Sequence, residues 1–189
     1  MSLSVAACGQ ANPAPHRVPL AEELRTAEQP GPFEPRIVER VTSPAGGMVA
    51  IVQQDGPHPE GDLGDYSLWI EAGEARPRKC LLGRVCAPMN SQARNIGRPS
   101  FSPDGRHLYV ATTTYVQSSS EILRLDPISG RITELGDGIS VAVIRNGPYR
   151  GYLIVPRHTM SDDRSHFYYP SYLMDPVGRT VLRIPDEQE

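Results

Sequence analysis

The sequence predicts an all-β domain of three successive four-stranded antiparallel sheets, preceded by a proline-rich tether. Three observations carry this. From Arg36 onward, apolar residues recur at period two, and no stretch shows a helical 3.6-residue stripe. The 189 residues include 19 Pro and 17 Gly, a composition that favours many turns and short strands over a helical bundle. An acidic residue at the head of a tight glycine turn recurs about every 50 residues, at Glu71, Asp126 and Asp175, the spacing of a four-stranded repeat with its connections.

In chain order, the N-terminus comes first. Val5-Ala6-Ala7-Cys8 resembles the lipobox of bacterial lipoproteins, in which a small-residue cleavage site precedes a cysteine that becomes lipidated. The resemblance implies a lipid anchor at Cys8, residues 1–8 as a signal remnant, and a periplasmic location. Residues 9–35 are rich in Pro, Ala and charge and poor in large apolar side chains, and are expected to form a flexible tether. Residues 36–185 are the expected folded domain, with a tail at 186–189.

Within the domain every strand candidate is short, β-branched or aromatic, and bounded by turn residues. "RIVERV", "MVAIVQ", "YSLWIEA" and "KCLLG" form a first unit over about 36–85. "RPSF", "HLYVATTTY", "EILRLD" and "RITEL" form a second over about 98–136. "SVAVIR", "YLIVPR", "SYLMD" and "TVLRI" form a third over about 138–185. Trp69, the only tryptophan, is expected in the core. In "FSPDGRHLYV", Ser102-Pro103-Asp104-Gly105 is a turn with a mechanism: Pro presets φ, Asp bonds back to the following backbone, and Gly takes the left-handed conformation.

That decapeptide also resembles the blade-opening motif of TolB-type and other WD-like β-propellers, an aromatic residue followed by Ser-Pro-Asp-Gly and a β-rich strand. The resemblance implies that the three units are antiparallel propeller-like blades. Propellers close with four to eight blades, so three are expected to form an open partial β-propeller. Completion of a ring by two chains, or collapse into a sandwich, are the alternatives; the chain is expected as a monomer or homodimer.

Cysteine counting bears on compartment. If Cys8 carries lipid, Cys80 and Cys86 remain, and an even remainder in an exported protein suggests a disulfide; the alternative is two free thiols. A net charge of −3 argues against a nucleic-acid footprint, and no apolar run approaches the roughly 18 residues of a spanning helix.

Function is expected on loops. In each unit one connection is long and polar, residues 54–65, 114–120 and 158–170, while the others are tight. Long loops collected on one face of a rigid scaffold are the usual seat of binding. The residues expected to bind a protein partner of the cell envelope are Asp62, Tyr115, Ser118, Ser119, Ser120, Arg164, Tyr168 and Tyr169; Tyr and Arg are the anchor types of protein interfaces. His158, Asp162, Asp163 and His166 are alternative metal ligands of a small hydrolase. No Gly-x-Ser-x-Gly elbow accompanies Ser118 to Ser120. The chain is therefore expected to be non-enzymatic and to need no cofactor. A second resemblance, carried by Asp104-Gly105-Arg106, the paired Ser before Glu121 and the Asp126-to-Gly130 turn, is to periplasmic immunity proteins of type VI secretion systems. It implies inhibition of a peptidoglycan amidase by a Ser-rich loop at Ser118 and Ser119.

Overall fold

The computed structural model describes residues 33–58, 61–73, 77–83, 85, 86, 95–113, 120–161, 164 and 166–185. Every regular element among them is a strand. The expected lipidation at Cys8, most of the tether and the 186–189 tail lie outside these residues.

The first sheet is a meander of β1 (Arg36–Thr42), β2 (Val49–His58), β3 (Gly61–Glu71) and β4 (Lys79–Gly83), paired in that order. The second begins with a strand in two pieces, β5 (Asn95–Ile96) and β6 (Ser100–Phe101), both paired to β7 (Leu108–Thr113). β8 (Ser120–Leu125) and β9 (Ile132–Asp137) complete it. The third contains β10 (Ala142–Val143) and β11 (Leu153–Pro156), followed by a small separate hairpin of β12 (Thr159–Met160) and β13 (Phe167–Tyr168). It closes with β14 (Ser171–Met174) and β15 (Thr180–Arg183), in the order β10-β11-β14-β15.

The three sheets stack through two apolar cores. Ala50, Val52, Leu68 and Ile70 of the first meet Phe101, Leu108, Val110 and Leu123 of the second. On its other face the second sheet presents Tyr109, Ala111, Ile122 and Leu135 to Val143, Leu153, Val155 and Met174 of the third. Successive residues of a strand point to opposite faces, so a strand covered on both sides is buried throughout. β7 is such a strand: Leu108 to Thr112 are all buried. Removing Leu108 to Ala would cost about 3–5 kcal/mol by transfer and cavity terms. The result is an open partial propeller of three blades with the second in the middle.

The Ser102–Gly105 turn works as its residues predict. The Ser102 and Gly105 amides donate to the carbonyls of His107 and Ser102, at 2.8 and 2.9 Å. Asp104 accepts from the Ser102 hydroxyl at 2.6 Å and the Arg106 amide at 3.1 Å. Gly105 has φ +71°, and a Cβ there would run into Ser43 Oγ and Ala45 Cβ of the β1–β2 turn.

Two expectations are corrected. Residues 54–58 and 61–65 belong to strands, not to a loop: β2 and β3 continue pairing out to His58 and Gly61, with register shifts at Gln54/Gly56 and Gly56/His58. The bulges let the arm twist while the ladder persists, which hides it from a composition-based reading. Trp69 lies outside the two cores. It pairs with Cys80 and Ile51 on the face of the first sheet turned away from the second, half-buried, with its indole N–H donating to Ser67 Oγ at 2.7 Å. Cys80 and Cys86 are bonded, with Cα atoms 5.3 Å apart, inside the span a disulfide requires.

Candidate functional site: the strand 2–3 end of the blades

The tight turns gather at one end. Ser102, Pro103, Arg150 and Pro176 line a shallow cleft of about 350 Å3 between the second and third blades. The β8–β9 turn meets the turns of the first blade in the same way at Ile128 and Lys79. The ends of β2 at His58, of β7 at Thr113 and of β11 at Pro156 therefore lie at the opposite end of their blades.

Asp126 and Asp175 maintain the tight end. Asp126 Oδ1 accepts from the Ile128 and Ser129 amides at 2.8 and 3.0 Å. Asp175 Oδ1 accepts from Val177 and Arg179 at 3.0 and 2.8 Å. The Ser129 amide, then the Ser129 hydroxyl and the Ile128 amide, hold the Asp126 carboxyl below its ordinary value; the Ser102 hydroxyl, followed by the Arg106 amide, does the same for Asp104. Glu71 holds the matching place in the first blade but reaches outward to Arg78 at 2.5 Å and Arg40 at 3.3 Å.

At the other end the third blade carries the most developed feature. Beyond Pro156 and Ser171 the chain forms the β12–β13 hairpin, with Met160 opposite Phe167. His158 stacks on Phe167 at 4.1 Å between ring centroids and on Tyr169 at 5.4 Å, with interplanar angles of 23° and 19°. One face of the hairpin is thus His158, Met160, Phe167 and Tyr169, and all four are exposed; Phe167 and Tyr169 are 51 % and 57 % accessible. Tyr168 projects from the other face, paired with Thr159. The tip is closed by the Ser161 amide on the His166 carbonyl at 3.0 Å and the Arg164 amide on the Ser161 carbonyl at 2.8 Å. Arg164 has φ +57°, the one positive φ of a non-glycine among the described residues.

The second blade contributes carboxylates. Glu121, at the start of β8, is the direct register partner of Asp137, at the end of β9; Leu123, two residues on, faces Glu134. Partial burial first, then the charges of Glu134 and Asp137, raise the Glu121 carboxyl above its ordinary value. Arg157 bounds this patch. Its Nε donates to the Asp137 carbonyl at 3.2 Å, its Nη2 to Thr180 Oγ1 at 2.9 Å, and its guanidinium lies 4.9 Å from the Tyr172 ring centroid.

The expected site residues divide as follows. Arg164, Tyr168 and Tyr169 share the hairpin. Ser120 belongs to β8, with its hydroxyl 3.2 Å from that of Thr113. Asp62 is placed in β3 by its backbone. Tyr115, Ser118 and Ser119 lie outside the described residues, as do Asp162 and Asp163 of the candidate metal set. His158 and His166 are described. Among the described residues no three His, Cys, Asp or Glu side chains converge as a metal site. Residue types alone had not singled out Phe167 and Met160, or Glu121 and Asp137; the alternation of "HFYY" was the available signal for the hairpin face.

No family model and no curated protein sequence matches the chain. Solved structures do. The β-propeller domain of the Trilobed protease from Pyrococcus furiosus, which has an open velcro topology, superposes with TM-score 0.57 at 13 % identity, over 82 % of this chain and 43 % of that one. The fold is a partial β-propeller. Acylaminoacyl peptidase of Pyrococcus horikoshii matches the propeller at TM-score 0.59 and 13 % identity, over 80 % of this chain and 25 % of its own. TolB of Acinetobacter baumannii matches it at TM-score 0.50 and 14 % identity, over 82 % and 33 %. The chain spans less than half the length of each of these structures.

Proposed function

We propose that this partial propeller is a non-enzymatic binding protein of the cell envelope that holds a protein partner at the strand 2–3 end of its blades. The observation that carries the reading is the aromatic face of the β12–β13 hairpin, His158, Met160, Phe167 and Tyr169, exposed together on a hydrogen-bonded arm. Apolar rings grouped on a surface are characteristic of protein interaction sites. The stacking of the rings on one another lowers the ordering cost of binding. Tyr168 and Arg164 flank this face. Glu121 and Asp137 add negative charge that suits a partner with a basic rim. The Cys80–Cys86 bridge supports an exported location, since disulfides persist in oxidising compartments. In this reading Cys8 carries the lipid that anchors the chain in the periplasm.

The test is capture from envelope extract with the full chain, followed by affinity measurement on variants. Phe167→Ala and Tyr169→Ala should each weaken binding by about 1–2 kcal/mol as anchors. Asp62→Lys should act on association rate and salt dependence. Ser129→Ala and Val177→Ala, at the tight-turn end, should leave affinity unchanged. A partner whose affinity responds only to the tight-turn variants would refute the assignment of the face.

A further inference from the structure

The cleft of about 350 Å3 between the second and third blades is at the small end of the range of ligand sites. Asp104, His107 and Tyr109 line it from the second blade, Arg150 and Pro176 from the third. Tyr109 is 1 % accessible, yet its hydroxyl makes no hydrogen bond among the described residues. His107 stands two residues earlier, on the same side of the extended chain, and its Nδ1 is buried without a partner. Nearly all buried polar groups of folded proteins are hydrogen-bonded, so two unpaired side chains at one cleft call for a partner.

The acceptors of this cleft are spent and its donors are not. Asp104 alone is acidic among the described lining residues. Its Oδ1 takes the Ser102 hydroxyl and the Arg106 amide, and its Oδ2 faces Arg106 Nε at 3.8 Å. The Pro176 carbonyl takes Arg124 Nη1 at 3.0 Å. Arg150, by contrast, is exposed, and its guanidinium makes no ion pair or hydrogen bond among the described residues. A guanidinium has five N–H donors and no acceptor. Burial pushes the Tyr109 phenol above its ordinary value, so it stays protonated and able to donate. Neither ring nitrogen of His107 is hydrogen-bonded.

We infer that this cleft binds a small oxyanion, whose oxygens accept from the Arg150 guanidinium, the Tyr109 hydroxyl and the His107 ring. Unspent donors beside a free cation select an acceptor with negative charge, and the pairing of Asp104 with Arg106 removes the opposing charge. The guanidinium fork matches carboxylate and phosphate oxygens alike, so the shared chemistry is the oxyanion, and its bearer is read from the test. The site lies at the opposite end from the proposed partner surface and stands or falls independently of it.

Amide NMR titration of the full chain with sodium phosphate, sodium acetate and sodium chloride, at constant ionic strength, tests this. The amides of His107, Tyr109 and Gly151 should shift saturably with phosphate or acetate and not with chloride. Tighter binding of phosphate assigns a phosphate group to the site, and tighter binding of acetate a carboxylate. Arg150→Gln should weaken the better anion about 10-fold and Tyr109→Phe, which keeps the ring, about 5-fold. Arg145→Gln removes the same charge from the same turn outside the cleft, and should leave affinity unchanged. Circular dichroism checks that the variants remain folded. No saturable shift with either oxyanion, equal shifts with chloride, or binding indifferent to both Arg150→Gln and Tyr109→Phe would each overturn the inference.

Discussion

Glu121 and Asp137 stand directly opposite each other across the β8–β9 ladder, two carboxylates in register at the strand 2–3 end of the middle blade. Like charges opposite each other in an antiparallel pair are destabilising by a few tenths to about 1 kcal/mol. Glu121→Gln should therefore raise the thermal midpoint at pH 7 by about 1–3 °C. The Glu121 carboxyl is raised above its ordinary 4.5, so protonation relieves the repulsion and stability is gained as pH falls through the raised value. The advantage of the Gln variant should shrink over the same interval. Thermal scans of both proteins between pH 7 and 4 check this; a gap that does not change with pH would count against it.

Asp104 and Asp126 act in the opposite sense. Both carboxyls are lowered below their ordinary 3.8 by hydrogen bonds, first from the Ser102 hydroxyl and the Ser129 amide respectively. What they contribute is fully present above the ordinary value and lost as pH falls through the lowered one. Asp126→Ala should lower the thermal midpoint at pH 7, and in thermal scans its difference from wild type should narrow as pH falls from 3.8 through the lowered value.

Gly105 and Gly147 both have positive φ, +71° and +80°, but only Gly105 is crowded by the next blade's turn. A Cβ at Gly147 meets nothing within 4 Å, whereas one at Gly105 meets Ser43 and Ala45. Alanine at either position bears the left-handed penalty of roughly 1 kcal/mol. Gly105→Ala should cost about 1–2 kcal/mol more, since two turns must separate to admit the methyl group. Equal losses in denaturant titration would show that the two turns do not pack as described.

The Cys80–Cys86 bridge closes a short loop behind β4. Intact mass under non-reducing conditions should show the two-dalton deficit of one disulfide. Reduction should destabilise the domain by about 2 kcal/mol, read as a lower thermal midpoint. Two alkylatable thiols in protein purified without reductant would reject it.

Much of the fold is legible in the chain. Strand periodicity, the three units, the Ser102–Gly105 hairpin and the turns headed by Asp126 and Asp175 all depend on residues within a few positions of one another, and local sequence is sufficient for such short-range geometry. The candidate site is less legible. Tyr168, Tyr169 and Arg164 stand out by type, but their neighbours Phe167 and Met160 gain meaning only once Met160 pairs with Phe167.

Other features were decided by the stacking of sheets. β7 reads as a run of mixed small and apolar residues, and nothing in "LYVATT" says that Tyr109 faces one neighbouring blade and Val110 another. Trp69 has the composition of a core residue, yet its parity in β3 turns it to the far side of the first sheet. The confrontation of Glu121 with Asp137 depends on the register shift at Ile122/Leu123, and the meeting of Lys79 with the Ile128 carbonyl joins turns of two blades 49 residues apart. Side-chain alternation within a strand is local. Which face is covered, and in what register, depends on segments distant in sequence and held together by buried apolar area.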